Sequence, residues 1–235
     1  MSETDVSPSL MILEVIGVTI MALLLSLAMG VVFIVSLVVL GYGVDSTFAL
    51  GGATVFGQVG FLIVAYIYIR RRKVTVPFEA PSRSDLFHIG GGIVIALATA
   101  IGFSQLLLYF DLMPESVLEE IAETSPIFLI VLAILSVVLI APAEELLFRG
   151  AIQGKLREHF TPIPAITTAS LLFGSLHFLN YGGDILPIIL STLLIVVIGG
   201  IMGWLYERTN NIVVPILVHG IYNFVLLVPN YFEMV

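Results

Sequence analysis

The sequence predicts an all-α protein, a polytopic transmembrane helical bundle of about seven spans. Three observations carry this. Hydrophobic residues make up 59% of the 235 positions and charged residues only 11%, whereas soluble domains run near ~25% charged. The apolar residues fall in long continuous stretches, several of them near the ~20 residues that a membrane helix requires. They do not show the period-two alternation of a membrane β-barrel. The chain has no cysteine, which removes disulfides, thiolate nucleophiles and thiolate metal sites.

Residues 1 to 9 read as a polar tail. Glu3 and Asp5 there, and the length of the first apolar stretch, argue against a cleavable signal. Span one runs from about Val15 to Leu40, and Gly41 to Ser46 form a loop. Span two, Phe48 to Ile69, ends in Arg70-Arg71-Arg72-Lys73. Val74 to Asp85 carries Pro77 and Pro81 and reads as a linker. It divides an N-terminal helix pair with its linker, 1–85, from a core, 86–235, within one integrated domain. Span three is Phe87 to Phe110. Met113 to Thr124 interleaves Glu115, Glu119, Glu120 and Glu123 with Val117, Leu118 and Ile121, the spacing of an amphipathic interfacial helix.

Span four opens at Ser125-Pro126. Its apolar run, Ile127 to Ala141, leads into Ala-Pro-Ala-Glu-Glu-Leu-Leu-Phe-Arg-Gly, residues 141–150. Gly150 to His159 continues as a polar helix, and Thr161 to Pro164 read as a turn. Spans five, six and seven follow at Ala165 to Leu179, Ile185 to Tyr206 and Ile212 to Val228.

Basic residues favour cytoplasmic loops. With Arg70 to Lys73 inside, seven spans put the N-terminus in the cytoplasm. All seven Arg and both Lys then lie on or toward that side, and the Glu-rich segment 115–123 lies opposite. The expected location is the cell membrane, with the lipid bilayer as a partner. The net charge of −8 and the lack of a broad basic face exclude a nucleic-acid partner.

Charges inside a bilayer are costly and usually mark function. Glu144, Glu145 and Arg149 are such residues, as are the polar groups His177, His219 and Asn223. Glu144 and His177 each lie sixteen or seventeen residues from the tip joining spans four and five, roughly 20–25 Å along each helix, so they sit at matching depth. His219 lies roughly 12 Å into span seven, and Asn223 shares its face at i+4. These depths allow convergence in the cytoplasmic half of the bilayer. Ser175 is two residues from His177 and does not face it, which disfavours a Ser-His dyad.

A carboxylate with imidazoles suits activation of water, with Glu144 as general base. Two His and a carboxylate (Glu144, His177 and His219) also match a hydrolytic zinc or other divalent-metal site. Asn223 could donate to an oxyanion. Each residue has a plainer reading beside this one. A lone buried His is commonly structural, Glu145 with Arg149 can be an ion pair only, Asn223 can join helices, and Phe173 reads as packing. The Gly-rich stretches 90–92 and 199–203 read as close helix contacts. His88 and His159 read as interfacial or solvated.

Three motifs stand on separate spans: Glu144-Glu145-x-x-x-Arg149, Phe173-x-x-x-His177 and His219-x-x-x-Asn223. With them the chain resembles the CAAX-protease and bacteriocin-processing family of intramembrane endopeptidases, often called the Abi family. Gly203 to Thr209 is also similar to that family's G-x-L-Y-x-R-T segment. The resemblance covers about Pro126 to Val228. It implies that Glu144 and His177 activate the attacking water, and that His219 and Asn223 complete the site as metal ligand and oxyanion donor or in related roles. It also implies a membrane-associated protein or peptide substrate, cut near the cytoplasmic face. Eukaryotic members remove the C-terminal tripeptide from prenylated CAAX proteins. Members are read both as metal enzymes and as metal-independent glutamate-type proteases; the expectation here is a metal-assisted enzyme. A non-catalytic membrane binding or bacteriocin-immunity protein is the alternative.

Overall fold

The computed structural model describes residues 7–235. The polar tail's first six residues, with Glu3 and Asp5, lie outside them. Among the described residues seven helices are long and apolar enough to cross a membrane, and the fold is an all-α polytopic bundle. The spans are α1 (Pro8–Val39), α2 (Thr47–Arg72), α3 (Arg83–Tyr109), α5 (Ile127–Leu156), α6 (Pro162–Asn180), α7 (Ile185–Thr209) and α8 (Val213–Met234). A short helix, α4 (Val117–Thr124), lies between α3 and α5.

Local chemistry sets most boundaries. Ser7, Ser46 and Ser82 cap α1, α2 and α3 through their hydroxyls, and Ser82 with Asp85 completes a capping box. α2 closes on the left-handed residue Lys73, after three arginines that suit the negative end of a helix dipole.

Four expectations shift. α1 begins at Pro8 rather than Val15, because Glu14 does not stay in water: Arg72 Nε lies 2.7 Å from its carboxylate and Tyr68 Oη donates to it at 2.7 Å. Pro162 starts α6 instead of turning the chain, since a helix's first residue has no intrahelical use for an N–H. α8 runs on through Pro229 to Met234. The 113–124 segment is helical only from Val117. Before it, Glu115 and Ser116 (β1) pair antiparallel with Gly182 and Tyr181 (β2), tying the α3–α4 connection to the end of α6. Burial and the nearby Glu119 carboxylate push the Tyr181 phenol above the ordinary tyrosine range.

The 74–82 linker is fastened to the bundle. Ile212 N donates to Pro77 O, and Asn211 exchanges two hydrogen bonds with the Glu79 backbone. One buried cluster joins α1, α2, α5 and α6 through Met11, Val15, Phe61, Val64, Leu147, Phe148 and Phe173. A second joins α3, α7 and α8 through Ile89, Met202, Leu205 and Val218. Among Gly90, Gly91 and Gly92, only Gly92 packs closely; a Cβ there would lie 2.8 Å from Leu205.

α5 is not a uniform α-helix. Ser136–Ile140 and Leu146–Gln153 are π-helical, flanking the α-helical turn Ala141–Glu145. Pro142 supplies a reason for the first widening: it has no N–H, and its ring crowds the carbonyl one turn before it. Such π segments are frequent at functional sites. Here they bracket the two glutamates.

Candidate active site

Successive residues on an α-helix point about 100° apart, so Glu144 and Glu145 leave α5 in different directions. His219 of α8 stands between them. Its Nδ1 lies 2.8 Å from Glu145 Oε1, and its Nε2 lies 3.9 Å from Glu144 Oε2. One imidazole thus addresses both carboxylates, using its two edges. The close approach depends on Gly220. A Cβ there would sit 3.0 Å from Val137 Cα and 3.3 Å from Ser136 O, so α8 lies directly on the first π segment.

The two carboxylates have different surroundings. Glu145 is fully buried, as is Arg149. Arg149 Nη1 donates to Glu145 Oε1 at 3.2 Å, and its Nε lies 3.1 Å from Oε2, an ion contact without an aligned hydrogen bond. Arg149 Nη2 then donates to Gly199 O at 2.7 Å. A Cβ at position 199 would lie 3.1 Å from Phe173 Cδ1 and 3.2 Å from Arg149 Nη2, so a side chain there would press on both. Glu145 is therefore neutralised, and it accepts the Nδ1–H of His219. Glu144 is 8% exposed. Its Oε1 accepts from Gln58 Nε2 at 3.1 Å, while Oε2 has only His219 Nε2 before it, beyond hydrogen-bond reach.

Phe173 of α6 is more than packing. Its ring centroid lies 4.7 Å from that of His177 and 5.9 Å from that of His219, and Arg149 Cζ sits 4.8 Å over it. Cations over aromatic faces are attracted by the ring quadrupole, so Phe173 helps seat Arg149. His177 ends the α-helical part of α6 and opens a 3₁₀ turn. Its Nδ1 pairs with Phe173 O at 3.0 Å. A carbonyl only accepts, so the proton is on Nδ1 and Nε2 is a free acceptor in the neutral ring. His177 is within ion-pair distance of neither glutamate among the described residues; His219 is the histidine at that distance from Glu144. Asn223 is half-buried, one turn beyond His219.

No group of three or more His, Asp or Glu side chains among the described residues is spaced to hold a metal ion. The Glu144, His177 and His219 set expected for zinc is not gathered as a ligand cluster in this arrangement. His177 sits in the turn at the end of α6, and Glu144 is oriented by Gln58 and His219.

A ladder extends the site along α5 and α7. Arg149 reaches Gly199 O, Gln153 Nε2 reaches Gly203 O and Glu207 Oε1, and Arg157 Nε reaches Glu207 Oε2 at 3.1 Å. Gln153 is fully buried. Neither it nor Gln58 was among the sequence candidates. The available signal was a lone amide at mid-depth in an apolar span (Gln58), and a polar residue continuing the i, i+4 series from Glu145 and Arg149 (Gln153).

Fold and site together define a class: a polytopic helical membrane protein with a buried glutamate–histidine–arginine centre assembled from its later spans. The segment 126–225, which carries every motif residue of that centre, matches the family model for type II CAAX prenyl endopeptidase, Rce1-like. A relative in Bacillus subtilis (strain 168), described as uncharacterized protein YpbD, is 36% identical over 97 residues, which are 41% of this chain and 44% of the relative. The chain thus spans less than half the length of that relative. No solved structure matches the chain.

Proposed function

We propose that the protein is an intramembrane endopeptidase that hydrolyses a peptide bond of a membrane-associated protein or peptide near the cytoplasmic membrane face. One observation carries the reading. Glu144 Oε2 and His219 Nε2 face each other at 3.9 Å with no proton donor assigned to either. Because Glu145 takes the Nδ1–H of His219, Nε2 presents a lone pair. Two acceptors at this separation suit a molecule that donates twice, and a polar gap above 3.5 Å is the spacing that a bridging water fills.

A water held there directs both hydrogens at acceptors and a lone pair outward. As its oxygen bonds to the scissile carbonyl carbon, Glu144 takes a proton. The carbonyl becomes an oxyanion, and the Asn223 amide is the donor on the α8 face for it. When the C–N bond breaks, Glu144 returns the proton to the departing nitrogen. Glu145 and Arg149 hold His219 in its tautomer and orientation, as a buried carboxylate does for a catalytic imidazole. His177, with Nε2 free, contributes the second imidazole face of the site.

The orientation belongs to the same proposal. The Arg70 to Lys73 end of α2 lies with the α1 start through the Arg72–Glu14 pair. Glu79 and Asn211 join the linker to the α7–α8 turn. By the positive-inside rule this end is cytoplasmic, and His219 lies only six residues inside α8 from it, roughly 9 Å.

The test is a comparison of protein termini in membranes from cells expressing the wild type or Glu144→Gln. New termini dependent on Glu144 are the expected result. Identical termini in both overturn the assignment and leave a non-catalytic binding role.

A further inference from the structure

Gln58 lies on α2, outside the family-matched segment. Its amide nitrogen donates to Glu144 Oε1 at 3.1 Å. The orientation follows from chemistry, because an ionised carboxylate only accepts and the NH₂ group must face it. This orientation leaves Gln58 Oε1 buried without a partner. A buried acceptor with no donor is unfavourable, so the side chain is committed to Glu144 at the expense of its own oxygen. Its other side borders an open cleft of about 460 Å³ between α1 and α2, lined by Ser26, Gly30, Ala53, Thr54 and Gly57. The cleft offers no charged group to replace it.

The terminal torsion of a glutamate is broad and roughly two-fold. A lone hydrogen bond at one oxygen is enough to choose the carboxylate plane. With Oε1 held by Gln58, Oε2 is the oxygen that faces His219 Nε2. We propose that Gln58 is a positioning residue for the site: its amide fixes the plane of the Glu144 carboxylate so that Oε2 and His219 Nε2 share one water. The inference rests on the reading of Glu144 as the water-activating base. It adds that the N-terminal helix pair completes the site, by a contact 86 residues away in sequence.

Two variants of the full-length protein in lipid nanodiscs test this. Gln58→Met keeps the length and removes the N–H donor. Gln58→Glu keeps the shape and sets an acceptor against Glu144. The first readout needs no substrate: the carboxylate stretching band of Glu144, isolated by infrared difference against Glu144→Gln. The second is turnover of a peptide spanning a junction found by the terminal comparison above. The expected result is a displaced band in both variants and a loss in kcat of about 10- to 100-fold, with KM changed less than about two-fold. Gln58→Glu is expected to lose more than Gln58→Met. Thermal unfolding in nanodiscs confirms that each variant is folded, and Gln58→Leu replaces any that is not. An unmoved Glu144 band in folded Gln58→Met overturns the proposal, as does a moved band with wild-type kcat. A wild type that cuts nothing removes the protease reading and the positioning role that rests on it, while the band still decides whether the Gln58–Glu144 bond exists.

Discussion

The N-terminal helix pair and the α5–α7–α8 core solve opposite problems. α1 exposes Leu24, Leu27, Val31, Val32 and Val35, a face suited to lipid, and its pairing with α2 relies on small residues and aromatic contacts such as Phe33 on Phe56. The core buries Glu144, Glu145, Arg149, Gln153 and His219. Burying charge is unfavourable unless it is paired and hydrogen-bonded. The core meets that condition by making each polar group the partner of the next, from His219 through Glu145 and Arg149 to a backbone carbonyl. The pair contributes a single amide to the site. The polar residues of the core are therefore interdependent, whereas the pair gathers its own charges at one end, where Arg72 and Tyr68 meet Glu14, and sends Gln58 alone into the site.

The comparison can be broken most severely at Glu144. Glu144→Gln is expected to lower turnover by about 10²- to 10⁴-fold, the usual range for removing a general base, without changing the thermal midpoint; equal turnover would end the catalytic reading. Arg149→Met leaves Glu145 charged and buried without its guanidinium partner, with only the His219 N–H beside it. It should cost about 3–5 kcal/mol of stability, read as a lower unfolding midpoint in detergent, and a midpoint equal to wild type would show that Glu145 has another counter-charge. Gln153→Leu removes the amide that donates to Gly203 O and Glu207 Oε1. A loss of about 1–3 kcal/mol is expected, with kcat unchanged because no reacting atom is touched. Arg72→Ala tests the helix pair. Its side chain is half exposed, so the loss should stay within about 1 kcal/mol; a larger one would mean that the pair shares the core's interdependence. Chelator dialysis should leave turnover unchanged, with elemental analysis finding zinc well below one ion per chain. Activity lost to the chelator and restored by zinc would place an ion among Glu144, His177 and His219.

Much of the fold was legible because membrane helices are bounded by length and charge. The apolar runs gave all seven spans, and the Glu-Glu-x-x-x-Arg stretch marked the helix that carries the centre. The start of α1 was misplaced because Glu14 reads as a solvated charge, and its partners Tyr68 and Arg72 lie more than fifty residues on. The amphipathic pattern at 113–124 gave a helix but not the strand pairing at Glu115, which depends on Tyr181 and Gly182 across the bundle. Counting residues matched Glu144 with His177 in depth. It could not see that α5 widens into π-helix on both sides of the glutamates, which alters which neighbour each one faces. Gln58 was invisible for a simpler reason: an isolated amide makes no periodic pattern.

The ladder between α5 and α7 has a consequence for how such a chain can vary. Its three rungs, 149 to 199, 153 to 203 and 157 to 207, keep a constant offset of fifty residues. The two helices are therefore parallel and keyed in register, like a rack meshed with its pinion at three teeth. Residues inserted in the turns on either side of α6 change the offset but not the mesh. One residue inserted inside either keyed stretch turns every later tooth by about 100°. Length is therefore free to change in the connections and fixed between the teeth.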